Sequence, residues 1–100
     1  MCEGGLHIVL KPRFRKGYAR CARRGWDVSK IDCAMRILAS GGRLPPEYND
    51  HGLKGDMAAC RECHIGGPHS DWLLVYRKLS DRLILEFVET GTHRELGLGG

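Results

Sequence analysis

The sequence has no long apolar run. Its 100 residues are 42% hydrophobic and 28% charged, which are ordinary fractions for a globular domain. None of its apolar stretches approaches the roughly 18 residues that a membrane-spanning helix needs. The first residues also lack the basic n-region of a secretory signal. We therefore expect a single domain over residues 1–100, located in a reducing cytoplasm and without a membrane partner.

Acidic residues are missing from one stretch near the N-terminus. Residues 11–26 contain seven of the sixteen lysines and arginines and no acidic residue. Arg13, Lys16, Arg20 and Arg23 recur at a spacing that places them on one face of a helix. A concentrated positive patch attracts polyanions, above all nucleic acid. The alternative is a solvated face whose charge is balanced elsewhere in the fold.

Apolar spacing predicts a short first strand followed by a helical hairpin. Residues 6–10 form the strand, and Pro12 suits the first turn of a helix. The apolar face of this helix is formed by Phe14, Tyr18, Cys21 and Ala22. Asp27 is a good N-cap for a second helix, which the glycine pair at 41–42 ends.

The second half of the chain is predicted to form strands. An irregular stretch at 44–56 contains two prolines and two glycines, a composition typical of a loop. Strands are then predicted at 58–64, 71–77 and 82–89, with the strongest apolar run in the second of them. No internal repeats are found. The predicted fold is α+β, in the order β-α-α-β-β-β, with the helices on one face of a small, mostly antiparallel sheet.

Five cysteines include a Cys-x-x-Cys-His motif, formed by Cys60, Cys63 and His64. The motif resembles the attachment signature of c-type haem. With His69 it could instead supply four zinc ligands. Haem attachment belongs to exported proteins, and no second ligand pair at zinc-finger spacing follows. The favoured interpretation is two structural cysteines of a strand in a reducing compartment.

Three histidines and an acid are predicted to lie near loops and strand ends. His51 lies in the irregular loop, His64 ends one strand, Asp71 begins the next, and His93 follows the last. Antiparallel strands bring such ends together. Cleavage of RNA needs one group that takes the proton of the ribose 2′-OH and another that protonates the leaving 5′-oxygen. Imidazole can do either near neutral pH. The alternative for each histidine is an ordinary surface or core residue.

These residues fall within blocks that resemble a known family. The blocks are LPPEYNDHGLKG at 44–55, RECH at 61–64, DWLLVY at 71–76 and TGTHREL at 90–96. In order and spacing they are similar to the YafQ branch of the RelE/ParE toxin superfamily. The resemblance implies a RelE/ParE-like fold, with an N-terminal strand and a helical hairpin packed on the sheet.

The resemblance also implies a function and a set of site residues. It implies a bacterial type II toxin that cleaves mRNA in the decoding site of the small ribosomal subunit. A cognate antitoxin would neutralise this toxin. The implied catalytic residues are His51 as general base, His93 as general acid, and His64 and Asp71 holding the reacting groups. The predicted RNA contacts are Lys54, Arg61, Trp72, Arg13, Lys16, Arg20 and Arg23. No metal or cofactor is implied, and DNA would be contacted only through the antitoxin complex.

Two other functions are compatible with the sequence. The family commonly has an arginine where this chain has Glu89, and an acid there favours a member with a non-nuclease target or without activity. The other alternative is a small metal- or haem-binding module built on Cys60, Cys63 and His64.

Overall fold

The fold is built on a five-stranded mixed sheet. The computed structural model describes residues 7–79 and 84–97. Its strands are β1 (His7–Leu10), β2 (His51–Gly52), β3 (Arg61–His64), β4 (Trp72–Leu79) and β5 (Ile84–Thr92). They are arranged in the order β1-β5-β4-β3-β2. β1 runs parallel to β5, and the other neighbouring strands are antiparallel. The predicted α+β fold with a mostly antiparallel sheet is therefore confirmed.

The described residues form two long α-helices and one short one, besides two 3₁₀ turns at 46–48 and 55–57. The α-helices are α1 (Pro12–Arg23), α2 (Ser29–Ala39) and α3 (His93–Leu96). α1 packs on β5, and a Cβ atom added to Gly17 would lie 2.2 Å from the carbonyl oxygen of Thr90. Only glycine permits so close an approach of helix and strand. Phe14, Ile31 and Leu38 bring the hairpin into the hydrophobic core.

Several boundaries differ from the sequence prediction. α2 begins at Ser29, so the N-cap position is Val28 and not the predicted Asp27. Asp27 nevertheless acts on the start of the helix, because its Oδ1 accepts a hydrogen bond from the Ser29 N–H at 3.1 Å. The strand predicted at 58–64 begins only at Arg61, since a 3₁₀ turn at 55–57 and a further turn at 58–59 precede it. Ala22 is exposed, since the buried face of α1 runs through Gly17 instead.

A short strand and a short α-helix were not predicted. His51 and Gly52, predicted as loop, form β2 at the edge of the sheet. The last strand continues through Thr92, and α3 follows it directly. Residues 6, 82 and 83 of the predicted strands, with the connection at 80–81, lie outside the described residues.

The alternation of side chains along β3 positions the candidate site. Cys63 pairs with Leu74 of β4, and both belong to the core cluster that includes the helices. Successive residues of a strand point to opposite faces. Glu62 and His64 therefore lie on the other face of the sheet, where they are only 4% and 8% exposed.

Candidate active site

One buried carboxylate joins three histidines. Oε2 of Glu62 lies 3.4 Å from Nε2 of His51, 3.6 Å from Nε2 of His64 and 3.8 Å from Nε2 of His93. The ring of His64 lies between the other two, with centroids 5.9 Å from each. The histidines come from three separate elements, β2, β3 and α3. Long-range folding therefore assembles a single polar cluster.

The Nδ1 atom of each histidine is held by an oxygen acceptor. Nδ1 of His51 lies 2.7 Å from the carbonyl oxygen of Asn49, and Nδ1 of His64 lies 2.8 Å from that of Ser70. A carbonyl oxygen can only accept, so in both rings Nδ1 carries the hydrogen. The Nε2 atoms are consequently left for Glu62 and for a substrate.

His93 is fixed by Asp71 and by the start of α3. Asp71 Oδ1 lies 2.5 Å from Nδ1 of His93 and accepts a hydrogen bond from its backbone N–H at 3.1 Å. These bonds lower the pKa of the Asp71 carboxyl below its ordinary value, so it is charged at neutral pH. Thr92 and Glu95 form a capping box that begins the helix at His93.

The loop before His51 is anchored to the sheet. Asn49 adopts the left-handed conformation with φ 47°, which asparagine tolerates better than most residues. Asp50 accepts hydrogen bonds from the Tyr76 hydroxyl at 2.5 Å and from Arg61 Nε at 2.9 Å. His51 then pairs in register with Glu62. The backbone and two side chains thus hold His51 beside the buried carboxylate.

The cluster also has the donor set of a metal site. Ligand atoms of His51, Glu62 and His64 lie within 4.8 Å of one another. Two imidazoles and a carboxylate are a common donor set for zinc. Among residues 7–79 and 84–97, the side chains close enough to share a metal ion are these three, and neither Cys60 nor Cys63 belongs to the group.

The two cysteines of the Cys-x-x-Cys-His motif do not form a site with His64. Both thiols are buried, and burial raises the pKa of each, which keeps them protonated. Cys63 faces the core whereas His64 faces the opposite side of the strand. The geometry therefore favours structural cysteines over the haem- or metal-binding module considered from the sequence.

The predicted RNA-binding residues have different surroundings. Lys16 and Arg23 are exposed on α1, whereas Arg13 lies 3.7 Å from Glu89 and Arg20 lies 3.3 Å from Glu95. Half of the basic face is therefore paired with acids, as expected for a solvated face whose charge is balanced elsewhere.

The other three predicted contacts lie on or near the strands of the sheet. Lys54 is exposed two residues after β2. Arg61 is half-exposed and bonded to Asp50. Trp72 is 9% exposed, and its Nε1–H donates to Thr90 Oγ1 at 3.1 Å.

The structure brings together the four residues predicted from the sequence, which are His51, His64, Asp71 and His93. Glu62 was not predicted. The available signal was the period of two along the strand, which places Glu62 on the same face as His64. Tyr76 was also missed as a partner of the site, because its contact with Asp50 joins residues far apart in sequence.

Comparison with known proteins agrees with this architecture. Residues 6–97 match the family model described as the bacterial toxin of type II toxin-antitoxin system, YafQ. A curated YafQ toxin candidate of Haemophilus influenzae is 32% identical over 78 residues, which are 75% of this chain and 74% of that protein.

Solved structures extend the likeness to three dimensions. The E. coli DinJ–YafQ toxin-antitoxin complex matches with a TM-score of 0.79 and 32% identity, over 91% of this chain and 96% of that chain. A metal-bound toxin from Helicobacter pylori matches with a TM-score of 0.81 and 34% identity, over 91% and 98% of the two chains.

Fold and sequence together define a toxin of a type II toxin-antitoxin system. More closely, the chain belongs to the YafQ family. Among the residues that the structure describes, no helix has the length and apolar character needed to cross a membrane.

Proposed function

We propose that this toxin is a ribosome-dependent mRNA endoribonuclease that uses histidine acid–base catalysis. The observation that carries the proposal is the convergence of three histidine Nε2 atoms on Glu62, with Asp71 bonded to His93. Such a cluster can exchange protons on both sides of a phosphodiester near neutral pH. The family membership supports a toxic activity, and the ribosome, mRNA and a cognate antitoxin are its proposed partners in the bacterial cytoplasm.

The proposed reaction needs no external nucleophile. Nε2 of His51 takes the proton of the ribose 2′-OH, and the 2′-oxygen forms a bond to phosphorus. The bond from phosphorus to the 5′-oxygen breaks, and Nε2 of His93 supplies the proton that the leaving oxygen requires. The products are a 2′,3′-cyclic phosphate and a 5′-hydroxyl, and one proton has moved from the 2′-OH to the leaving group.

The surrounding groups prepare the two catalytic imidazoles. The Glu62 carboxylate lies 3.4 Å from His51 and 3.8 Å from His93, where it can stabilise the positive charge that forms on His51 as this ring takes the 2′-OH proton. Asp71 orients the ring of His93 through Nδ1 and leaves Nε2 for the substrate. We assign to His64 the donation of a hydrogen bond from Nε2 to the phosphate as its charge increases, a role that requires the imidazolium form because Nδ1–H is already bonded to Ser70.

The proposed mechanism is metal-independent. A divalent ion held by His51, Glu62 and His64 would occupy the Nε2 atom that must accept the 2′-OH proton. We therefore expect a bound metal to inhibit cleavage. A metal-bound relative from Helicobacter pylori makes this competition worth measuring directly.

Glu89 does not oppose the proposal. Its side chain is 13% exposed and lies 3.7 Å from the guanidinium of Arg13. The ion pair offsets the charge that would otherwise repel RNA. Lys16, Arg23 and Lys54 remain exposed for contact with ribosomal or messenger RNA, which would position the toxin without selecting a sequence.

The test is single-turnover cleavage of mRNA on programmed ribosomes saturated with toxin. We expect His93→Gln to slow cleavage by about 10²–10⁴-fold, the usual contribution of a general acid, because an amide cannot deliver the proton. His7→Gln, an exposed histidine of β1, is the matched control and should cleave at the parent rate. Removal of zinc by a zinc-selective chelator, with Mg²⁺ kept in the buffer to maintain the ribosomes, should not reduce the rate. The proposal is wrong if the parent leaves ribosome-bound mRNA intact, or if His93→Gln cleaves as fast as the parent.

A further inference from the structure

Beside the histidine cluster lies a cavity of about 400 Å³, a volume within the usual range for small-ligand sites of about 300–1,000 Å³. Trp26 and Trp72 form one wall, and Asp71 and Thr92 form the side next to His93. Asp71 belongs both to the histidine cluster and to the cavity, because its carboxylate is bonded to His93 and its side chain lines the cavity. A group bound in this cavity would therefore lie next to the reacting phosphate.

The aromatic wall is held in place before any ligand arrives. The two indole rings are 4.9 Å apart between centroids and tilted by 55°. The ring of Trp72 is fixed by its bond to Thr90, and the guanidinium of Arg24 lies 5.0 Å from the ring centroid of Trp26. Bases stack on aromatic side chains of this kind in proteins that bind single-stranded nucleic acid.

The charges around the cavity favour a base over a phosphate. Asp27 and Asp71 both line it, and hydrogen bonds lower the pKa of each carboxyl, so both are anionic at neutral pH. The described hydrogen bonds of these two residues all use Oδ1. Oδ2 of each can accept a bond from an exocyclic amino group, which adenine, cytosine and guanine carry and uracil does not.

Lys30 provides a neighbouring contact for the backbone of the same strand. It lines this cavity and also a second one of about 300 Å³ that contains His64. An ammonium group between the two cavities is suited to the phosphate that links a base in the first to a nucleotide in the second.

We propose that the cavity walled by Trp26 and Trp72 is a nucleobase subsite, which holds the base of a nucleotide adjacent to the cleaved bond and prefers bases with an exocyclic amino group. The proposal rests on the proposed ribonuclease function, and it adds the residues that would recognise the RNA chain. The subsite can nevertheless be tested without cleavage.

Trp26 and Trp72 are the two tryptophans of the chain, so intrinsic tryptophan fluorescence reports on ligands that reach the walls of this cavity, and the Trp26 variants separate binding there from binding at the histidines. We would titrate the toxin with 2′-O-methyl trinucleotides, which cannot be cleaved, of all-adenine and all-uracil sequence. We expect saturable quenching with tighter binding of the adenine trinucleotide. Trp26→Leu should weaken that binding by about 5- to 100-fold, the range for one stacked base, while Trp26→Phe should retain most of it. Inorganic pyrophosphate should not quench.

The fluorescence titrations can overturn the proposed nucleobase subsite in three ways. Quenching by pyrophosphate as strong as that by RNA would mean an anion site and would overturn the proposal, as would equal binding by the parent and Trp26→Leu at an unchanged melting temperature. Absence of saturable quenching would overturn it even if the parent cleaves mRNA on ribosomes. Conversely, the parent protein could bind the adenine trinucleotide more tightly than the uracil one and yet leave mRNA on ribosomes uncleaved. This result would support the nucleobase subsite and contradict the proposed ribonuclease function.

Discussion

The hydroxyl of Tyr76 donates a hydrogen bond of 2.5 Å to Asp50 Oδ2, from the buried centre of β4 to the residue before His51. Burial, and then the bond to the Asp50 carboxylate, raise the pKa of this phenol, so it remains a donor at neutral pH. The loop that carries His51 is consequently tied to the most buried strand of the sheet.

Removal of this hydroxyl should affect both stability and cleavage. Tyr76→Phe keeps the buried ring and deletes the donor, and we expect a loss of about 1–3 kcal/mol in the free energy of unfolding. Because Asp50 would then be held by Arg61 alone, the position of His51 should loosen and the rate of single-turnover cleavage should fall several-fold. Urea unfolding and cleavage on ribosomes measure the two effects.

Tyr18→Phe is the matched control. The Tyr18 hydroxyl donates to Asp32 Oδ1 at 2.9 Å, between the two helices and away from the histidines. The change should cost stability and leave cleavage unchanged. Equal losses of activity in the two variants would show that Tyr76 acts through general stability only.

The charge of Glu62 should matter more than its volume. Glu62→Gln keeps the side chain in place but removes the carboxylate charge beside three Nε2 atoms, which in the proposed mechanism stabilises the positive charge that forms on His51 during proton transfer. We expect the cleavage rate to fall at least about tenfold. We also expect histidine ring signals in ¹⁵N NMR spectra to move for all three residues.

Glu86→Gln controls for the loss of a buried glutamate. Glu86 is 8% exposed and bonded to Arg77, so this change should reduce stability without changing cleavage. A Glu62→Gln toxin as active as the parent would remove Glu62 from the mechanism.

The ion pairs of Glu95 should give a defined pH dependence of stability. The hydrogen bond from Arg24, the Thr92 N–H and the charge of Arg20 lower its pKa from 4.5 to about 2. A depressed folded-state pKa stabilises the protein above the unfolded value, and this contribution is lost as the pH falls. The difference in unfolding free energy between the parent and Glu95→Gln should therefore be constant above about pH 4.5 and shrink toward about pH 2.

The size of that difference should be modest, at most about 1 kcal/mol, because the pairs are near the surface and screened. Urea unfolding at a series of pH values measures it. Glu47→Gln, at an exposed glutamate on the loop after α2, is the matched control for the same change of residue type. A difference that grows on acidification would contradict the assignment.

Gly17 should be intolerant of alanine even though it lies within a helix. Alanine would favour the helix by about 1 kcal/mol, but its Cβ would lie 2.2 Å from the Thr90 carbonyl oxygen. Either α1 or β5 must move, and we expect a net loss of about 1–3 kcal/mol or more. Thermal unfolding measures it.

Gly25→Ala offers the comparison. Gly25 has a φ of +83°, and a Cβ atom added there would have no neighbour within 4 Å. Alanine at this position therefore meets backbone strain but no steric clash. It should cost about 1 kcal/mol, less than Gly17→Ala. A Gly17→Ala protein more stable than the parent would mean that α1 and β5 separate easily.

Local patterns made part of this fold predictable. The apolar run from Trp72 identified β4, and helical spacing identified both long helices, because each signal lies within one element. β2 has only two residues and no periodicity to detect. The parallel pairing of β1 with β5 joins the two ends of the described chain, and no local pattern carries that information.

The candidate site likewise has residues that could be predicted from the sequence and one that could not. His51, His64, Asp71 and His93 stand in recognisable sequence blocks, whereas the importance of Glu62 depends on which histidines surround it after folding. The adjacent cysteines offered a competing metal or haem interpretation of the same segment. The pairing of Arg13 with Glu89 likewise depends on the packing of α1 beside β5.

The brevity of β2 bears on how the proposed activity would be lost on heating. β2 pairs with β3 only through His51 with Glu62 and Gly52 with Arg61, whereas β4 and β5 pair along eight positions. Edge segments with few backbone bonds open at a lower free energy than the whole domain unfolds. Amide hydrogen exchange at β2 should then be faster than at β4. We therefore expect the proposed cleavage activity to be lost at a lower temperature than that at which β4 and β5 separate.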